Sequence, residues 1–175
     1  MLLKSLEGAA FGAKLKEIAG RKEFHALAES PFIYSIGGGN QLSNDPDYPS
    51  LVMAALKAVE HGYRVFMLPN PHGVKTPDYI FERRGVYKLF DLKNISGKNI
   101  VHTRLKESIT QANRALLNMP QYNTRKLVHD IRKYFAKYPD AIEVLIFKGK
   151  NEMSVSRRFA LSARFYFEFK RMFEK

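Results

Sequence analysis

The chain has 175 residues, 45% of them apolar, which is enough for a domain with its own core. It has no cysteine, so disulfides, a thiolate zinc site and a cysteine nucleophile are excluded. Twenty-nine basic residues against 17 acidic ones leave a net charge of +12, which makes nucleic acid the leading partner class.

Residues 1–29 read as one or two short helices. Leu2-Leu3 and Ala9-Ala10 are interrupted by Lys4, Glu7, Lys14 and Lys16, the pattern of an amphipathic helix and not of a signal peptide. No apolar run approaches about 18 residues, so no membrane span and no membrane partner are expected. Pro31 to Asn40 and Ser43 to Pro49 read as a loop. Gly37-Gly38-Gly39 is followed by neither a helix nor a Lys-Ser/Thr pair, which favours a linker over a phosphate cradle. Asp45 and Asp47 sit among prolines without later ligands and read as turns. The expected organisation is an N-terminal segment over 1–49 and a main domain over 50–175.

Ser50 is a candidate N-cap for a helix that places Val52, Ala55, Leu56 and Val59 on one face and stops at Gly62. Tyr63 to Leu68 is a buried strand, ended by Pro69-Asn70-Pro71-His72-Gly73. Tyr79–Phe81 and Val86–Phe90 then flank Glu82-Arg83-Arg84-Gly85, the signal for a β-hairpin. Asp78 opens its first strand and Asp91-Leu92-Lys93 ends its second. Alternation puts Asp91 and Lys93 on one face with Leu92 behind them, and pairing brings Asp78 near Asp91.

A polar loop, Asn94 to Asn99, leads to a helix expected from about Ile100 to Asn118. Val101, Leu105, Ala112 and Leu116 face inward there, and Arg104, Ser108 and Gln111 form a second stripe. A basic helix follows from Thr124 to Tyr138, then a buried strand from Ala141 to Phe147. The basic, aromatic tract from Ser154 to Lys175 reads as a strand then a helix, or as a single helix. Its rings and charges suit RNA, although its phenylalanines also suit a core. No internal repeat is evident. The fold class is α+β: a small mixed or antiparallel sheet with a central hairpin, covered by helices.

The hairpin end carries chemistry. Two carboxylates at bonding distance hold a hard divalent cation such as magnesium, which polarises a phosphate and acidifies a bound water. A lysine beside them orients that water or stabilises charge on the phosphate. Pro77-Asp78, twelve residues, then Asp91-x-Lys93 matches the PD-(D/E)xK nuclease pattern, with Glu60 as a further candidate metal ligand. The plain alternative is a solvated hairpin end holding an Asp–Lys pair.

From Ala55 to Leu117 the chain resembles the nuclease domains of bacterial polymorphic toxins. The Gly-Tyr-Arg-Val-Phe-Met-Leu-Pro strand, Lys75-Thr76-Pro77-Asp78, Phe90-Asp91-Leu92-Lys93-Asn94 and the later Ile109-x-Gln111-Ala112-Asn113 carry the likeness. It is similar to the C-terminal tRNA-cleaving domains of contact-dependent growth inhibition toxins. Related modules occur in phage and mobile-element proteins within the barnase–EndoU–colicin–RelE superfamily. The resemblance implies an endoribonuclease with tRNA as substrate and Asp78, Asp91 and Lys93 as catalytic residues. It also implies an acidic immunity protein as partner. The place of action would be the cytoplasm of the producing or target bacterium, reached as part of a larger secreted or phage protein. Residues 1–50 and the C-terminal tract lie outside the likeness.

Two mechanisms fit the same residues. In one, Asp78 and Asp91, with or without Glu60, hold a divalent cation and Lys93 positions the water. In the other, a ribose 2′-hydroxyl attacks its own phosphate, with Asp91 or a histidine as base and Lys93 stabilising the phosphorane. Candidate substrate contacts are Lys75 and Thr76, Ser96 and Lys98 in the following loop, His102, Arg104 and Gln111. His72 is a further acid–base candidate. The alternatives are a metal-dependent DNA endonuclease on the same residues, and a non-catalytic nucleic-acid-binding or phage structural module.

Overall fold

A computed structural model describes residues 8–37, 46–70, 74–96, 101–119 and 122–175. The described residues form eight strands and six helices, a mixed α+β fold in which most strand pairs are antiparallel. No helix among them is long and apolar enough to cross a membrane. The chain divides into two compact units, Met1–Asp91 and Leu92–Lys175.

The first unit opens with helix α1 (Gly8–Ala19), then strands β1 (Phe24–Leu27) and β2 (Ser30–Ile36). Helix α2 (Tyr48–Glu60) leads to β3 (Arg64–Met67), and the hairpin follows as β4 (Tyr79–Arg83) and β5 (Val86–Asn94). The tract at Pro31–Ile36, expected as a loop, is a strand antiparallel to β1 and parallel to β3. Strand β2, within the expected N-terminal segment 1–49, thus shares a sheet with β3 of the expected main domain. Pro31 is tolerated at the beginning of β2, where a ladder N–H is dispensable. The tract from Gly38 to Asp45 lies outside the described residues.

Helix α2 begins earlier than Ser50, with Asp47 at its N-cap and Pro49 in the first turn. There the missing N–H of proline costs nothing, since first-turn donors have no partner within the helix. Its other end matches expectation: Gly62 sits at φ +82°, a conformation that favours glycine. Leu51, Val52, Ala54, Ala55 and Ala58 are buried, and α2 packs on β2 and β3. Pairing aligns Ile33, Val65 and Phe81 across three strands, with Tyr79 opposite Phe90 beside them. Ring contacts at 5.1–5.3 Å join Tyr63, Tyr79, Phe81 and Phe90.

The hairpin turn is shorter than Glu82–Gly85. Glu82 and Arg83 belong to β4, and only Arg84 and Gly85 turn, at φ 54° and 78°. Positive φ at both positions matches the twist of the flanking strands. The Glu82 carboxylate accepts the Gly85 N–H at 2.7 Å and so braces the turn.

The second unit contains α3 (Val101–Ser108), β6 (Arg114–Asn118), α4 (Thr124–Lys137), β7 (Glu143–Lys148), β8 (Asn151–Ser156), α5 (Arg157–Ala160) and α6 (Phe165–Phe173). It repeats the plan of the first: a parallel pair joined by a helix, then an antiparallel strand. The expected helix over 100–118 is here half helix and half strand. A turn held by Gln111 and Ala112 N–H groups on the Ser108 carbonyl, at 2.8 and 2.9 Å, separates α3 from β6. Ala115, Leu116 and Leu117 are all fully buried, so the strand shows no polar alternation. A strand buried on both faces is an unbroken apolar run, and its Ala and Leu are helix formers.

Asn123 caps α4 by accepting the Lys126 N–H at 3.0 Å, close to the expected start. The C-terminal tract takes the strand-then-helix form. Phe165, Phe169 and Phe173, spaced four apart on α6, enter one core with Val128, Ile131 and Phe135 of α4 and with Val144, Ile146 and Val155 of the sheet. Arg132 donates to the carbonyls of Ala160 and Ser162 at 3.2 and 3.0 Å, and Arg157 donates to that of Tyr138 at 3.1 Å. These two basic residues hold the C-terminal helices in place.

Candidate active site

Strand β5 carries Asp91 and Lys93 on alternate positions, hence toward one side of the strand. Both are buried, with Asp91 1% and Lys93 7% exposed. Ionised side chains leave water only at a large cost, and chains retain them in such places where charge has work to do. The Asp78 N–H donates to the Phe90 carbonyl at 3.1 Å, and its own carbonyl accepts the Leu68 N–H at 2.8 Å. The Asp78 backbone is thus held between β3 and β5, at the residue before Asp91.

Tyr79, the residue after Asp78, pairs with Phe90, the residue before Asp91. Its hydroxyl donates to the Leu51 carbonyl at 2.8 Å. Burial raises its pKa well above the ordinary phenol value, and the charges of Asp78 and Asp91 push it further the same way. Sequence reading missed Tyr79 as a member of this neighbourhood, because an aromatic residue in a strand signals only core.

Glu60 is not brought to the pair. The Leu51 end of α2 is beside Tyr79, and Glu60 is nine residues further along, about 13 Å of helical rise. The hairpin confirms that direction: Arg83, at its turn end, donates to the His61 carbonyl at 3.1 Å. Among the described residues no three His, Cys, Asp or Glu side chains come together as a metal-holding group. Without Glu60, the carboxylates left on the hairpin as candidate donors are Asp78 and Asp91. Magnesium commonly takes one or two carboxylates plus substrate phosphates, so two aspartates suit it.

The remaining candidates scatter. Lys75 is exposed, while the Thr76 hydroxyl donates to the Pro69 carbonyl at 3.2 Å, within 3.4 Å of Asn70 Oδ1, and closes a loop. Ser96 is exposed just beyond β5, whose final Asn94 accepts from the Asn118 amide at 3.1 Å. Lys98 and His72 lie outside the described residues. Arg104 pairs with Glu107 at 2.7 Å on α3, and Gln111 sits in the following turn, so they share no helical stripe. His102 is half-buried on α3. Burial lowers its pKa, aided by Lys133, Lys137 and Lys106 and opposed by Asp130.

No protein-family model matches the chain, and no curated protein does. Among solved structures it is similar to a chain of a CdiA-CT/CdiI toxin and immunity complex from Burkholderia pseudomallei. The two share 20% identity over 66% of this chain and 90% of that one, with a TM-score of 0.45. A likeness that distant assigns no activity.

Proposed function

We propose that the protein is a toxin-like endoribonuclease acting at Asp78, Asp91 and Lys93, with tRNA as its substrate by motif resemblance. The observation that carries the reading is the burial of Asp91 and Lys93, two residues apart on one strand. The net charge of +12 suits a polyanionic substrate, and an acidic immunity protein would be attracted to the same surface.

In the ribonuclease reading Asp91 takes the proton of a ribose 2′-hydroxyl as that oxygen attacks the adjacent phosphorus. The Lys93 ammonium donates to the phosphorane oxygens; the P–O5′ bond breaks, the 5′-oxygen takes a proton from water, and a 2′,3′-cyclic phosphate is left. A buried site strengthens each of these interactions, because little water screens them. A second reading, a metal-dependent DNA endonuclease, is favoured by the pairing of two carboxylates, which 2′-hydroxyl attack does not need. There Asp78 and Asp91 would hold a divalent cation whose chemistry is to acidify water and polarise the phosphate.

Incubation with total tRNA and with plasmid DNA, each with magnesium or EDTA and beside Lys93→Ala, tests both. RNA cleavage that survives EDTA and disappears in Lys93→Ala supports the ribonuclease. DNA cleavage abolished by EDTA supports the second reading. Binding of either nucleic acid without cleavage overturns both.

A further inference from the structure

At the turn end of the hairpin, His61, Gly62, Arg83 and Arg84 line a cleft of about 460 Å³. No short motif marks it, since contact between the end of α2 and the β4–β5 turn brings these residues together. Gly62 lines the cleft at φ +82°, a conformation that excludes most other residues. Arg83 stacks over the Tyr63 ring, 4.1 Å from its centroid, while donating to the His61 carbonyl at 3.1 Å. Its guanidinium is therefore held in one place before any ligand arrives. Arg84 is exposed at the tip of a two-residue turn.

The electrostatics favour an anion. The carboxyl end of a helix repels negative charge, but Arg83 already covers that end of α2 at His61. The nearest acid along the hairpin, Glu82, is occupied by the Gly85 N–H at 2.7 Å and by Arg64 at 3.6 Å. Two guanidiniums and an imidazole line an open, polar concavity, with the exposed Glu60 next to His61 in the chain. Arginine presents a planar fork of donors that matches the oxygens of a phosphate.

We propose that this cleft is a second, non-catalytic subsite that grips a backbone phosphate of the RNA away from the bond being cut. It rests on the ribonuclease reading above and extends it. Asp78 and Arg83 are five residues apart on one extended strand, about 17 Å. A stacked strand rises about 3.4 Å per nucleotide and an extended one more, so the gripped phosphate is about three to five steps from the reacting one. A fragment of a few nucleotides cannot reach both places. A longer strand can.

Arg84→Gly is the decisive variant, because glycine suits a φ of 54° and the fold should lose nothing. A labelled RNA of about 12 nucleotides, 2′-O-methylated against cleavage, is titrated by fluorescence anisotropy across a salt series in EDTA. Arg84→Gly should weaken binding about three- to tenfold and make the log–log salt slope shallower by about 0.7, the share of one single-strand phosphate. A trinucleotide should bind wild type and variant alike. His61→Gln should weaken the long RNA in the same direction.

Unchanged affinity and slope in Arg84→Gly, with the wild type still binding, overturns the subsite alone. No binding of the long RNA by wild type overturns the ribonuclease reading with it. An inorganic phosphate titration followed by NMR of the His61 ring separates the sources. Saturation there, without the Arg84 effect on RNA, would make the cleft a free-phosphate site and overturn the proposal.

Discussion

Asp91 and Lys93 stand two residues apart on β5, both withdrawn from solvent. A strand that only needed packing there would gain stability from apolar residues at both positions. Asp91→Asn keeps the shape and removes the charge. The specific activity of the folded fraction of that variant should fall by at least about 100-fold, as should that of Lys93→Ala. Loss of folding with unchanged specific activity of the residual native fraction would mark the pair as purely structural.

Tyr79 supplies a stability test at the same end of the hairpin. Tyr79→Phe removes the hydroxyl that donates to the Leu51 carbonyl, which should cost about 0.5–1.5 kcal/mol by urea titration. Its pKa in the folded chain lies above the 10.0 of a free phenol. The unfolded chain therefore ionises first as pH rises, and stability is lost from pH 10.0 upward. Tyr79→Phe should show a flatter decline over that range. Equal slopes would mean that the phenol ionises without opening the fold.

His102 predicts the opposite limb. Its folded pKa lies below the ordinary 6.5, so the unfolded chain takes up the proton first as pH falls. The contribution is complete above pH 6.5 and is lost as pH drops below that value. Burial is the main cause, with Lys133 and Lys137 on α4 and Lys106 on α3 adding to it and Asp130 on α4 opposing it. His102→Gln should reduce the acid-side slope, measured as midpoint denaturant against pH. An identical slope would show that other groups govern the limb.

Arg84 holds a left-handed backbone conformation at φ 54°. Relief of that strain in Arg84→Gly should raise stability by up to about 1 kcal/mol, since L residues pay about 1–2 kcal/mol there and glycine returns part of that in chain entropy. A lower unfolding midpoint would reveal that the arginine side chain stabilises the turn.

How much of this was legible beforehand depended on whether the signal was local. The hairpin announced itself through β-formers around Arg84-Gly85, and α4 through its apolar period and its cap. The strand β7 is a run of consecutive apolar residues between breaks. The closeness of Asp78 to Asp91 followed from hairpin pairing, which is a property of neighbouring sequence. Composition also determined the absence of thiol chemistry and the basic character of the surface.

Other features were decided by partners distant in the chain. Ser30–Ile36 became a strand because β3 offers it a parallel neighbour across an intervening helix. Arg114–Asn118 did so because β7 pairs with it, overriding helix-forming Ala and Leu. Glu60 fell away from the aspartates because α2 runs from Tyr79 toward the hairpin turn, an orientation that no spacing encodes. The same contact gathered His61, Arg83 and Arg84 around one cleft. Periodicity and turn chemistry act over a few residues and are written in order along the chain, whereas sheet pairing and helix direction are settled by which buried surfaces meet.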